Sequence, residues 1–209
     1  LARQPLPEGA RLARRQLAAI ARESLLSLEA YARERGAFRS RVMAHKKDRG
    51  IQLGEHLLQL FEDELTIRYQ VQEMLRIERI FEEDGVRSEL EAYNPLVPDG
   101  GNWKATMLIE YPEPGERRRR LAELKGIEHR VWVQAEGCAR LYAIADEDLE
   151  RSNEEKTSAV HFLRFELDGR MRGALRQGAG LSIGVDHPNY RASVEVAPQV
   201  RASLAADIA

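Results

Sequence analysis

The sequence predicts an α+β fold: a mainly helical N-terminal part with one long central helix, then a duplicated strand–helix–strand–strand unit. The two copies are expected to form one mixed, largely antiparallel sheet with helices on one face. Three observations predict this. The order strand, helix, strand, strand reads twice, over 105–145 and 159–197. Helical periodicity runs from Asp63 to Gly85. Between these regions, residues 94–104 carry two prolines and two glycines, the composition of a domain boundary.

Taken in order, residues 1–23 read as a basic N-terminal extension. Within it, residues 10–23 have helical spacing, with Leu12, Leu17, Ile20 and Ala21 set against arginines. The first residue is Leu1 rather than Met, which points to a processed, truncated or partial start. The helical part spans 24–93. Ser27 is placed to cap a helix that Gly36 closes, and residues 37–48 resume the helical pattern. Gly50 and Gly54 bracket residues 51–53, and residues 51–61 read either as a short hairpin or as one irregular turn into a helix. Asp63 caps the long helix, where Ile67, Val71, Met74, Ile77 and Phe81 share one face at about 100° per residue. A short helix over 87–93 leads into the connector 94–104.

The doubled unit and a closing amphipathic helix fill 105–209. Gly115 and Gly169 end the first strands, and Gly126 and Gly178 end the helices. Gly137 and Asn189 take the hairpin turns, where both residue types tolerate positive φ.

At 209 residues and 43% hydrophobic, the chain can bury a core without covalent staples. A single cysteine, Cys138, excludes an internal disulfide framework and fits a reducing compartment. No apolar run approaches the roughly 18 residues of a membrane span, and no secretory signal pattern is present. A cytoplasmic chain without a membrane partner is the expectation. The net charge of −2 hides an asymmetry. Residues 1–49 hold twelve Lys or Arg against five Asp or Glu, giving +7 and leaving −9 for the rest. The basic arm either folds back on the acidic half or meets an anionic partner. Nucleic acid is not expected as that partner, because the acidic C-terminal half repels phosphate.

Glu78 stands near the centre of the apolar face of the long helix, so a buried acid is expected there, either ion-paired or working inside a cavity. Tyr69, Gln72, Glu73 and Arg76 form a polar stripe on the same helix. The Glu-x-x-His pattern of di-iron bundles is absent. His161 falls in phase with Leu163, Phe165 and Leu167, and His187 lies at a strand end. The two are too far apart within one unit to share a metal. No Cys-x-x-Cys, His-Glu-x-x-His, Gly-rich phosphate loop or Gly-x-Ser-x-Gly elbow occurs. The connector ends in Asn102, Trp103 and Lys104. It reads either as a plug with Trp103 in the core or as a rigid binding loop.

Several runs carry a family resemblance: YQVQEMLRIERIF (69–81), YNPLVPDGGNWKATMLIEY (93–111), EEKTSAVHFLRFEL (154–167), GVDHPNY (184–190) and AHKKDRG (44–50). In these the chain resembles an uncharacterised bacterial family described as a domain of unknown function, over roughly residues 24–209. Members look like gene neighbours of rubrerythrin-like and iron–sulfur oxidoreductase proteins. The resemblance therefore implies service to a redox or oxidative-stress module, and it implies no catalytic residue and no named cofactor. The leading expectation is a non-catalytic accessory protein that docks on an iron-containing redox protein, with a homodimer as a further expectation. The competing one is an enzyme or binding protein for a small anionic ligand. Its pocket would lie between the central helix and the sheet, lined by Tyr69, Glu73, Arg76, Asn102, Trp103, Lys104 and His161. A third is metal binding through His161 or His187 with carboxylates.

Overall fold

The computed structural model describes residues 19–145, 147 and 155–209. Most of the extension 1–23, with its expected helix, lies outside these residues; Arg22–Ser24 form one 3-10 turn. Six α-helices are described: α1 (Leu28–Lys46), α2 (Glu64–Glu78), α3 (Glu83–Tyr93), α4 (Pro114–Glu123), α5 (Gly169–Arg176) and α6 (Pro198–Ala205). The strands are β1 (Gly50–Leu53), β2 (Leu57–Glu62), β3 (Asn102–Ile109), β4 (Val131–Ala135), β5 (Leu141–Tyr142), β6 (Ile144–Ala145), β7 (Val160–Glu166), β8 (Leu181–His187) and β9 (Tyr190–Glu195). The α+β class and the order of helices followed by sheets are those the pattern predicts.

Ser27 caps α1 as expected, its hydroxyl accepting from Ala30 N at 3.2 Å. Gly36 does not close this helix, which runs on to Lys46. Glycine ends a helix when it turns left-handed, and Gly36 keeps a negative φ. It weakens the helix interior instead. A Cβ there meets nothing within 4 Å. Gly36→Ala should therefore stabilise the protein by about 0.5–1 kcal/mol. The check is a higher urea midpoint with an unchanged m-value.

Residues 50–62 resolve as a hairpin. Its turn residue Gly54 has φ 69°, and a Cβ there would fall 2.6 Å from the Tyr190 hydroxyl. Asp63 caps α2 through a reciprocal box: its side chain accepts from Thr66 N at 3.0 Å while Thr66 Oγ1 accepts from Asp63 N at 2.9 Å. The helix ends at Glu78, short of Gly85, because Arg79 adopts φ 54°. Its buried stripe is Ile67, Val71 and Leu75, packed with Val86, Leu90, Val97, Ile20 and Leu25 in a small separate core. Ile77 and Phe81 are 59% and 68% exposed, contrary to the expected face. Glu78 is exposed as well, so the expectation of a buried acid there is overturned. Its azimuth is within about 20° of Val71, but it sits in the last turn, past the elements that cover the stripe.

The strands divide between two sheets rather than forming one: β1-β2-β3-β7-β6 and β5-β4-β8-β9. Every pairing is antiparallel. The order strand, helix, strand, strand does occur twice, as β3-α4-β4-β5 and β7-α5-β8-β9. The first strands of the two sets pair with each other, and so do β4 and β8. The helices explain why one sheet does not form beneath them. α4 buries only Leu121, and α5 only Met171 and Leu175, stripes too narrow to cover a sheet face. The two apolar faces instead share one core, which includes Phe61, Trp103, Met107, Phe165, Val133 and Ile183.

Both seams between the sheets are tied. Segment 141–145 pairs first with β4 and then with β7. On the opposite side, the Tyr190 hydroxyl donates to Leu53 O at 2.6 Å and accepts from His56 N at 3.1 Å. Asn189, expected to use positive φ, does not; its side chain donates to Glu123 O at 2.7 Å, which fixes the turn by a tertiary bond.

Candidate ligand-binding groove

Alternation along β3 sorts the connector's last residues onto two faces. Trp103, Ala105, Met107 and Ile109 point into the core, while Lys104, Thr106 and Leu108 point outward and are half-buried. On β7 the same period sends His161, Leu163 and Phe165 inward and Phe162, Arg164 and Glu166 outward. In register, Lys104 stands opposite Arg164, Thr106 opposite Phe162 and Asn102 opposite Glu166. Of these, Asn102, Lys104, Phe162, Arg164 and Glu166 floor a groove of about 760 Å³, walled by residues 94–97 and Asp99 on one side and Ile144 on the other.

The wall is rigid for identifiable reasons. The Asn94 amide grips the backbone of Ile20, accepting from its N at 2.8 Å and donating to its O at 3.2 Å. Asp99 Oδ1 accepts from Gly101 N at 2.8 Å, an Asx turn. Asn102 accepts from Asp99 N at 3.3 Å and donates to Glu166 at 3.1 Å. Gly100 has φ 84°, and a Cβ there would lie 2.8 Å from Ala209. Its carbonyl accepts from Ala209 N at 2.9 Å, so the last residue is fastened to the loop.

The floor is charged. Arg164 donates to both oxygens of Glu147 at 2.6 Å and pairs also with Glu166. These carboxylates, Glu147 foremost, hold its guanidinium above the ordinary arginine range despite partial burial. On the far side of Lys104, in register, lies Glu62, 2% exposed. Its carboxylate accepts from Thr66 Oγ1 at 2.5 Å, Thr106 Oγ1 at 2.7 Å and Gln70 Nε2 at 3.3 Å. A buried acid thus occurs here at Glu62 rather than at Glu78, with Glu128 a second one beside His161. The sequence signal for Glu62 was its place at the outward position next to the Asp63 cap, legible only once 57–62 is known to be a strand.

The other expected site residues lie elsewhere, and none of Tyr69, Glu73, Arg76, Trp103 or His161 lines the groove. Glu73 bonds α1 to α2, accepting from Arg35 at 2.7 and 2.9 Å, Tyr31 at 2.7 Å and Arg76 at 3.2 Å. The Arg35 guanidinium, with Tyr31 and Arg76, holds its carboxyl at about 2. Burial pushes the Tyr31 phenol up. Tyr69 packs on Phe38 with ring centroids 6.0 Å apart. Trp103 is fully buried and donates to Leu204 O at 2.9 Å.

His161 is fully buried too, its Nε2 3.1 Å from Ser158 O and 2.9 Å from Thr157 Oγ1, with Glu128 at 4.0 Å. His187 accepts from Asn189 N through Nδ1 at 3.2 Å, so its proton sits on Nε2, which donates to Lys125 O at 3.0 Å. Among the described residues no group of three His, Cys, Asp or Glu side chains is placed to hold a metal ion. No described helix is long and apolar enough to cross a membrane.

Sequence reasoning also missed Arg49, 1% exposed, whose guanidinium bonds the carbonyls of Phe61 and Glu62 and reaches Ser203 and Asp207 on the C-terminal segment. The run AHKKDRG was the available signal, but nothing local marks which of its charges is buried.

A search of curated proteins returns no match. A crystal structure of a novel protein of unknown function from Burkholderia pseudomallei K96243 is 57% identical in sequence. It superposes with a TM-score of 0.87, over 91% of this chain and 100% of that one. A family model described as "Protein of unknown function (DUF3501)" matches residues 19–208. Spanning nearly its whole length, that match makes the chain a member of the DUF3501 family.

Proposed function

We propose that the protein is a binding protein for a small organic molecule carrying an anionic group, held in the groove over Lys104 and Arg164. The observation that carries this is the register: two cations stand directly opposite each other on a half-buried sheet face. Acids already meet these charges, Glu147 and Glu166 on Arg164 and Glu62 in register beside Lys104, so a ligand's carboxylate would bind by exchanging with one of these partners. The groove's volume of about 760 Å³ lies within the range of small-molecule sites. Its described lining offers cations, carboxylates and amides but no Ser, Thr, Cys or His.

Calorimetric titration with small carboxylates, bearing or lacking a second charge, tests the reading. Lys104→Met should weaken whichever carboxylate binds by about ten- to hundredfold, the worth of a hydrogen bond to a charged group. Absence of binding by every carboxylate at millimolar concentration, or equal binding by the variant, would end it.

A further inference from the structure

Resting on that reading, we infer that the groove's ligand is a zwitterion with an apolar side chain, the chemistry shared by an amino acid and a short peptide. The groove's charges are mixed. Beside the cationic row of Lys104 and Arg164, the next outward row carries Glu166, and Asp99 lines the wall above it. Rows two residues apart on a strand are separated by about 6.6 Å. A carboxylate over the cations therefore leaves an ammonium group within reach of Glu166.

Charge balance decides between a zwitterion and a simple anion. Arg164 is already paired, and Glu166 Oε1 is shared between Arg164 and the Asn102 amide. An anion that draws Arg164 away from Glu147 or Glu166, whose side chains are 49% and 45% exposed, leaves that carboxylate without its ion-pair partner in a groove already rich in acids. A ligand carrying its own ammonium group replaces the partner it removes. Exchange then leaves no charge unpaired. The apolar requirement comes from Phe162, half-buried on the floor beside Lys104, and from Ile144, 41% exposed at the rim. A side chain laid across them removes apolar surface from water.

The test is calorimetric titration of the full chain with leucine, leucylleucine, N-acetylleucine and 4-methylpentanoate. Leucine or the dipeptide should bind at least about tenfold more tightly than the two ligands lacking an ammonium group, the worth of one charge-assisted bond. Which of the first two binds better distinguishes a free amino acid from a peptide. Glu166→Gln should erase the preference for the ammonium group, so that leucine and 4-methylpentanoate bind alike. That residue's side chain is 45% exposed, so the variant is expected to fold. If N-acetylleucine or 4-methylpentanoate binds as tightly as the better of leucine and leucylleucine, the zwitterion is overturned and the anion-binding groove stands. If no carboxylate binds, both fall.

Discussion

Replacing Arg49 by methionine should destabilise the protein by about 3–5 kcal/mol, the cost of removing one partner from a buried ion cluster. The side chain is 1% exposed and its donors are fully committed. Nε donates to Phe61 O at 3.0 Å and Nη2 to Glu62 O at 3.1 Å, joining the end of β2 to the end of α1. Nη1 reaches Ser203 Oγ at 3.2 Å, and both Asp207 oxygens accept from the guanidinium. Asp63 stands 3.5 Å away and also meets His45 at 2.5 Å. Methionine fills similar volume, so the loss reports charge and hydrogen bonds rather than a cavity. Urea denaturation followed by circular dichroism measures it. A cost below about 1 kcal/mol, the range of exposed pairs, would show that the cluster is not what fixes the C-terminal helix.

The same cluster gives the acid behaviour a sign. Burial raises the Asp63 carboxyl, but Arg49, the Thr66 amide and His45 outweigh it and leave its pKa lowered. Its contribution to stability is present above the unfolded value of about 3.9 and is lost as pH falls through the folded one. Asp207 is the reverse: burial dominates over Arg49 and raises its pKa. It favours the folded state below the unfolded value and loses that contribution as pH rises through the folded value. The two terms oppose each other near pH 4. Glu73, held at about 2, has no such counterweight, and its contribution fades between its unfolded value of about 4.3 and pH 2.

How much of this was legible follows from how local each determinant is. Ser27 and Asp63 cap helices because a side-chain oxygen reaches an amide three residues on, and such spacing can be read directly. Period two on β3 also carried information that the connector's composition concealed. The plug and the binding loop were posed as alternatives, and alternation makes Trp103 the plug while Lys104 and Asn102 line the groove. Arg49 could not be read, because Ser203 and Asp207 lie 154 and 158 residues away. The pairing of β3 with β7 is equally non-local, and it is what sets Lys104 against Arg164. Glu78 shows the opposite failure. Its phase on the helix was right, but phase says nothing of where the covering elements stop.

Trp103→Ala should cost about 3–5 kcal/mol, a large share of the roughly 5–15 kcal/mol that holds a typical domain folded. The indole is fully buried, meets Phe61 edge-on with centroids 5.7 Å apart, and donates to Leu204 O in α6. Truncation removes its apolar contacts, opens a cavity between the sheets and takes one donor from the Leu204 carbonyl, which keeps the Asp207 N–H at 3.2 Å. Trp103→Phe separates these effects: it keeps most of the contact but not the donor, and should cost about 1–3 kcal/mol. Both are read from urea midpoints. The decisive comparison is with the groove. Because Trp103 points away from the face that carries Lys104, the phenylalanine variant should lose stability while keeping its affinity for any ligand that Lys104→Met weakens. A Trp103→Phe variant with native stability and altered binding would instead place the indole in the site.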